Sequence, residues 1–269
     1  MKLSIITVNL NNAVGLEKTI ESVCNQTFTD FEYIIIDGGS NDESTNIINQ
    51  YSDKISYCIS EADKGIYHAM NKGIKQAYGE YCLFLNSGDY LFNDKTLEIV
   101  FNSNVEADII YGDRIEIKHN KEVGRKVYPD KLSFYHFYID SLPHQATFIK
   151  SKLFSDIGYY NEKLEYASDW EFFLKAIVNS NCSYHHINQF ISCFDRMGVS
   201  NKKDNYNKMN HERMEILEIN YSLFKDDYEA IQITKRKLKE IQSYSLFFFL
   251  KRIVYYFLKS FRIKFFLKK

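Results

Sequence analysis

Between residues 1 and 89, short apolar runs break off four times into the same kind of polar, flexible ending. Leu3-Ser4-Ile5-Ile6-Thr7-Val8 gives way to Asn9-Leu10-Asn11-Asn12, and Tyr33-Ile34-Ile35-Ile36 to Asp37-Gly38-Gly39-Ser40. Ser56-Tyr57-Cys58-Ile59 leads to Glu61-Ala62-Asp63-Lys64-Gly65, and Tyr81-Cys82-Leu83-Phe84-Leu85 to Asn86-Ser87-Gly88-Asp89. Apolar runs of this length, closed by Gly, Asn and Asp, read as buried strands entering turns. The intervening segments carry helical spacing. Val14–Cys24 places apolar residues at 16, 20, 23 and 24, Glu43–Tyr51 follows the cap-forming Ser40-Asn41-Asp42, and Gly65–Tyr78 carries Ile66, Ala69, Met70 and Ile74. Alternating strands and helices pair their strands in parallel and cover both faces of the sheet with helices. Ligands of such α/β sheets gather beyond the C-terminal ends of the strands. Strand-end Asn and Asp also cap helices in such turns, but here Asn, Asp and Glu from all four runs converge on one edge.

Beyond residue 107 the pattern changes. Ile109–Tyr111 predicts a strand, Arg114–Val127 alternates like an antiparallel ribbon, and residues 151–158 and 168–178 predict helices. Strands are predicted near 183–187 and 190–195, followed by a long charged helical stretch over 205–242. The expected organisation is an α/β domain over residues 1–200, a helical extension over 201–242 and a tail over 243–269. A hydrophobic content of 45%, with only two prolines and eleven glycines, supports a sizeable core and excludes a linker-rich chain. The five cysteines contain no C-x-x-C pair and read as reduced core thiols, which implies a cytosolic compartment. The first residues enter a strand without a charged n-region and apolar h-region, so no secretory signal is expected.

The formal net charge of -1 conceals an asymmetry. Residues 244–269 hold seven basic residues and no acid, leaving 27 basic against 35 acidic, a formal -8, in residues 1–243. Nucleic-acid binders carry their basic surface on the folded domain, so no nucleic-acid partner is expected. If the tail is helical, Lys251, Arg252, Lys259 and Arg262 share an arc of about 100°, with Phe247, Leu250, Val254, Phe257, Leu258, Phe261 and Phe265 elsewhere on the wheel. Regular Lys and Arg argue against a spanning helix and for one lying in the interface of an anionic membrane.

Neither G-x-G-x-x-G nor G-x-x-x-x-G-K occurs in the chain. A phosphate bound here must be held by side chains and a metal rather than by a loop of backbone amides. Carboxylates beside a flexible Gly suit Mg²⁺ or Mn²⁺, hard cations that often take only one or two protein oxygens.

The ordered set of motifs is specific. It comprises Ile5 to Asn11, Gln26-Thr27-Phe28, Phe31 to Asp42 and Glu61 to Ile66, then Asn71-Lys72-Gly73-Ile74, Gly79-Glu80-Tyr81 and the run to Asp89. Phe154 to Glu162 and Ser168-Asp169-Trp170-Glu171 follow. Over residues 2–200 the chain resembles the inverting family-2 nucleotide-sugar glycosyltransferases of GT-A fold. The resemblance implies a Rossmann-like, mostly parallel α/β sheet flanked by helices, with a C-terminal helical extension. Thr7 and Asp37 resemble the positions that hold the uracil and ribose of a UDP-sugar, with Asn9 and Asn11 in the same strand-end motif. Glu61, Asp63, Lys64 and Asn71 resemble the second wall of that pocket, and Asn86 belongs to the motif beside the donor. Asp89 resembles the end of the metal-binding acidic motif, which implies a Mn or Mg cofactor, and Asp169 resembles the catalytic base. His144, in Pro143-His144-Gln145, lies where the family has polar residues near the diphosphate, and Trp170 suits stacking against an acceptor sugar. Arg196 to Ser200 resembles an element that closes over the donor. Two departures stand out: the family's motif has an Asp where Gly88 stands, and Leu10 replaces an aromatic residue often found beside the uracil.

The function implied is transfer of a hexose from a UDP-sugar to a glycan acceptor. That acceptor would be a polyprenyl-diphosphate-linked glycan at the cytoplasmic face of the cell membrane, in O-antigen or capsule assembly. A sugar nucleotidyltransferase shares the layered sheet but needs a glycine-rich basic loop after the first strand. The other alternative is a non-catalytic nucleotide- or carbohydrate-binding homologue that has lost its metal.

Overall fold

The structure is a computed structural model that describes residues 1–103, 105–198 and 203–266, with the backbone alone described at 203, 244–245 and 254–266. Val199 and Ser200 of the expected closing element, and Lys268 and Lys269 of the tail, lie outside the described residues. The first strands and helices follow the predicted alternation to within two residues at each end. They are β1 (Leu3–Asn9), α1 (Ala13–Cys24), β2 (Phe31–Asp37), α2 (Ser44–Gln50), β3 (Tyr57–Ser60), α3 (Ile66–Gln76) and β4 (Tyr81–Phe84). Next come β5 (Tyr90–Leu91), α4 (Thr96–Asn102), β6 (Ile109–Lys118), β7 (Lys121–Lys126), α5 (Phe134–Ile139), a 3-10 turn (His144–Ala146) and β8 (Thr147–Lys150). α6 (Lys152–Asp156) precedes α7 (Ser168–Leu174), which continues into a π-helical turn (Lys175–Asn179). β9 (Tyr184–Asp195), α8 (Lys203–Asn220) and α9 (Ser222–Phe266) complete the chain. β5, α4, α5 and β8 had no counterpart in the sequence reading, and the two strands expected after residue 182 are one continuous β9.

The strands form one sheet in the order β3-β2-β1-β4-β8-β6-β9-β5, with β7 paired to the outer end of β6. β3, β2, β1 and β4 are parallel. β8 joins β4 and β6 antiparallel, and β9 lies parallel to β6. The central strands are buried on both faces, as their unbroken apolar runs require: Leu3, Ile5, Ile6, Ile34, Ile35, Ile36, Leu83 and Phe84 are fully buried. Leu16, Ile20 and Val23 of α1 cover one face, and α3 lies close to β1 and β2. That approach requires Gly73, where a Cβ would stand 2.5 Å from the Ile6 Cγ2 methyl.

The chain divides into two compact units, Met1–Glu215 and Ile216–Lys269. The second contains α9, a single helix that carries the start of the basic aromatic tail. Leu246 to Leu250 and Ile253 are exposed on it, beside Lys251 and Arg252. Among the described residues, no helix is long and apolar enough to cross a membrane.

Candidate active site

Parallel register brings the first polar strand ends into a row. Asn9 on β1 pairs with Asp37 on β2, and Asp37 pairs with Ser60 on β3. The Asp37 carboxylate is the hub of that row. Its Oδ1 accepts from Asn9 Nδ2 at 2.8 Å and Ser40 Oγ at 2.6 Å, and its Oδ2 accepts from Ser40 N at 2.9 Å and Ser60 Oγ at 2.6 Å. Burial alone would raise its pKa, but the bonds from Ser40, Ser60 and Asn9 outweigh it and hold the carboxyl below its ordinary value. Asn11, with φ of 50°, accepts from Asn41 N at 2.9 Å, so the loops after β1 and β2 are stitched together.

Glu61 and Asp63, just past β3, share the ammonium of Lys72 on α3 at 2.7 and 2.6 Å, and His68 Nδ1 lies 2.9 Å from Asp63 Oδ1. Asp63 Oδ2 is buried without a hydrogen-bond partner, 3.5 Å from where a Cβ on Gly38 would sit. Lys64 is exposed beside this group. Asn9, Asn11, Asp37, Glu61 and Asp63 thus lie at the C-terminal ends of adjacent strands. Lys72 is a member that the sequence reading left without a role.

The turn after β4 is fastened by hydroxyl groups of α1 and by the amide of its N-cap, Asn12. Asn12 Nδ2 donates to Ser87 O at 2.9 Å, Thr19 Oγ1 donates to Asp89 O at 2.7 Å, and Leu91 N donates to Ser22 Oγ at 3.2 Å. Gly88 takes φ of +105°, and a Cβ there would stand 3.4 Å from Asp195 Oδ2. The positive φ therefore opposes the Asp that the resemblance leads one to expect at this position, although a Cβ would make only ordinary contact with Asp195. Asp195, at the end of β9, also donates its N–H to Asp89 Oδ1 at 2.9 Å.

Burial pushes the Asp89 carboxyl up to about 6, relieved only in part by His144, the Asp195 N–H and Arg114. Among the described residues no three His, Cys, Asp or Glu side chains form a metal cage. Mg²⁺ and Mn²⁺ need none, because substrate phosphates and water complete their octahedra. A buried carboxylate short of counter-charge, with Asn86 Oδ1 buried and unpartnered on the same turn, fits a one-carboxylate site for such a cation.

Asp169, in the first turn of α7, is held from several sides. Its Oδ1 accepts from Tyr67 Oη of α3 at 3.0 Å, and its Oδ2 lies 3.0 Å from His144 Nδ1. The other nitrogen of His144, Nε2, is 3.2 Å from Asn86 Nδ2. Burial would raise the Asp169 pKa, but the hydrogen bond from His144, then Arg213 and the Trp170 N–H, hold it below its ordinary value. The carboxyl is therefore ionised at neutral pH. Behind it, Glu212 of α8 accepts from the N–H groups of Glu165, Tyr166 and Ala167 at 2.7, 3.0 and 2.9 Å. It thereby occupies the unpaired donors leading into α7.

Three expectations need correction. Trp170 does not reach an acceptor: its side chain is fully buried, its Nε1 donates to Phe137 O at 2.8 Å, and the Arg213 guanidinium lies 5.3 Å from its ring centroid. The Thr7 side chain is fully buried, with its hydroxyl 3.0 Å from Tyr33 Oη, so it braces the sheet rather than lining a pocket. Asn71 is also no pocket wall. Its amide brackets the Tyr160 backbone, accepting from N at 3.0 Å and donating to O at 2.9 Å, and it also donates to Glu162 Oε1 at 2.8 Å.

The glycosyl transferase family 2 model matches residues 4–156, more than half of the chain. The chain belongs to glycosyl transferase family 2. A PGL/p-HBAD biosynthesis glycosyltransferase of Mycobacterium bovis is 31% identical over 201 residues, covering 72% of this chain and 77% of that protein. An uncharacterized glycosyltransferase of Rickettsia typhi is 30% identical over 195 residues, covering 68% of this chain and 61% of that protein. Among solved structures, S. aureus TarS in complex with UDP-GlcNAc superposes with a TM-score of 0.63 at 24% identity, covering 81% of this chain and 67% of the TarS fragment. The coverage is 66% of the UDP-bound fragment and 40% of a longer TarS chain, so this glycosyltransferase spans well under half of the latter. A mannosyltransferase of Pyrobaculum calidifontis, in complex with GDP-Man and Mn²⁺, superposes at 0.54 with 14% identity, covering 72% of this chain and 56% of that one. At such identities the superpositions establish the fold, a mixed α/β sheet of GT-A type.

Proposed function

We propose that this family 2 glycosyltransferase moves a hexose from a UDP-sugar to a glycan acceptor, with inversion at the anomeric carbon. The observation that carries the reading is a continuous line of side chains from Asp169 through His144 to Asn86, three residues before Asp89. An ionised carboxylate is thereby within two side chains of the turn bearing a buried carboxylate suited to a cation. Asp169 takes the proton of the acceptor hydroxyl as that oxygen attacks C1, the bond from C1 to the diphosphate oxygen breaks, and UDP leaves with the electron pair. A single displacement of this kind inverts the centre. A Mn or Mg ion on Asp89 would neutralise the charge growing on the diphosphate. Asn9, Asn11, Asp37, Glu61, Asp63 and Lys64 are assigned to the nucleotide side and Asn86 to the diphosphate side.

The UDP and UDP-GlcNAc carried by TarS, which shares the fold, support uridine as the nucleoside. The exposed aromatic and basic residues of α9 support a lipid-linked acceptor at an anionic cytoplasmic membrane surface, as in cell-surface polysaccharide assembly. In this reading residues 1–200 carry the catalytic fold and the tail from Ser243 meets the membrane. Calorimetric titration with UDP, with and without Mn²⁺, tests the donor and metal together. Binding that requires the cation is expected, and UDP binding indifferent to Mn²⁺, or none at all, overturns the reading.

A further inference from the structure

His144 joins Asp169 to Asn86. It stands on the 3-10 turn that opens β8, and that turn is closed on Pro143 O by Ala146 N at 2.8 Å and Thr147 Oγ1 at 2.7 Å. From this fixed base the imidazole reaches in two directions. Nδ1 meets Asp169 Oδ2 at 3.0 Å, and Nε2 meets Asn86 Nδ2 at 3.2 Å. With Asp169 ionised, Nδ1 is the protonated nitrogen and Nε2 accepts from the Asn86 amide, which makes both contacts sound for a neutral ring. Asn86 in turn closes the turn that carries Asp89, its carbonyl accepting from Asp89 N at 2.9 Å. Its side-chain Oδ1 is buried and unpartnered, so the amide has one arm on His144 and one arm open.

We infer that His144 is a positioning residue that locks the Asp169 carboxylate in place and ties it to the Asn86–Asp89 turn, so that the grip on the base follows what binds to that turn. The inference rests on the reading of Asp169 as the base. His144 and Tyr67 occupy one lone pair on each carboxylate oxygen and fix the plane of the group, which leaves the remaining lone pairs for the acceptor hydroxyl. The proton taken from the acceptor stays on Asp169, and His144 exchanges none. A hydroxyl or phosphate group of the donor that engages Asn86 Oδ1 pulls on the same amide that holds His144 Nε2. Donor occupancy is therefore felt at the base through two hydrogen bonds.

The groups that bear on Asp169 are Tyr67 from α3, His144 from the 3-10 turn, Arg213 from α8, the Trp170 N–H of α7 and the electrostatic influence of Tyr160. His144 lowers the Asp169 pKa, so its removal raises that pKa. In His144→Ala the acid limb of the kcat profile should therefore move to higher pH. Turnover should fall by about 10–100-fold, the scale for losing an orienting partner, while the KM for the donor changes little. His144→Gln, which can return an N–H to Asp169, should recover part of the loss and lower the limb again, and it serves as the test should the Ala variant fold poorly. Nitrogen-15 NMR of the histidines gives a readout independent of turnover. His144 should be protonated at Nδ1 and shift on addition of UDP with Mn²⁺, and Asn86→Ala should abolish that shift. An unmoved acid limb in both variants, or a His144 resonance indifferent to UDP and Mn²⁺ that nonetheless bind, overturns the inference. Failure of UDP to bind the wild-type protein overturns the donor reading instead.

Discussion

Asp89 is a buried carboxylate and Asp169 a partly buried one, and their surroundings push them in opposite directions. Asp169 has donors and cations around it and stays ionised, whereas Asp89 has burial as its dominant influence and titrates near about 6. Opposed environments of this kind divide roles between two acids. Asp169→Asn should leave donor binding intact and lower turnover by about 10²–10⁴-fold, the scale for losing a general base, as read by UDP titration and steady-state rates. Asp89→Asn should abolish the Mn²⁺ dependence of UDP binding. It should also change stability with a definite sign. The folded-state pKa of Asp89 lies above its unfolded value, so in the metal-free protein its contribution favours folding at low pH and is lost as pH rises through about 6. At pH 8 the metal-free Asn variant should accordingly be more stable than the wild type by about 1–3 kcal/mol, with the difference vanishing toward pH 4. Denaturant unfolding at the two pH values measures this. Equal stability at pH 8 would mean that the carboxylate is better compensated than its surroundings indicate.

At the scale of elements, the site depends on how α7 is held. Glu212 closes three N–H groups ahead of the first turn of α7, and a carboxylate accepting from a helix N-terminus is favoured by hydrogen bonding and by the dipole alike. Glu212→Ala leaves those donors unpaired and should cost about 1–3 kcal/mol in denaturant unfolding. It should also lower kcat more than it weakens UDP binding, because the nucleotide side lies on other elements. A UDP affinity that fell in step with kcat would place the effect elsewhere. This dependence marks the limit of what local sequence conveys. The row of Asn9, Asp37, Glu61, Asp63 and Asp89 was legible because each residue ends an apolar run, and parallel pairing alone aligns such ends. Tyr67 and Asp169 lie 102 residues apart, and nothing in the composition of α3 or α7 signals their contact. Trp170 was misread for the same reason. An aromatic residue beside an acid suits sugar stacking and core packing equally, and the carbonyl of Phe137 decides for the core. The asparagine of Asn71-Lys72-Gly73 likewise has a partner, the Tyr160 backbone, that only the folded chain brings near.

For the whole molecule, α9 sets the question of where the enzyme works. Leu246 to Leu250 present consecutive apolar side chains to solvent, and the Lys251 ammonium lies 4.5 Å from the Phe247 ring centroid. Each Lys or Arg near an anionic surface contributes about 1 kcal/mol, and the aromatic side chains add insertion that salt does not screen. Truncation after Gln242 should release the protein from anionic liposomes in a sedimentation assay. Transfer to a lipid-linked acceptor should slow far more than transfer to a short soluble analogue. Sedimentation unchanged by the truncation would refute the anchor. The Glu212 clamp has a further consequence, for synthesis. The ribosome delivers β1 to β4 first, and such N-terminal segments can collapse as they emerge. Glu212 is translated 45 residues after the last amide it closes, Ala167. A nascent chain can thus form its nucleotide edge well before its base is fastened, and glycosyl transfer should begin only once α8 has cleared the exit tunnel.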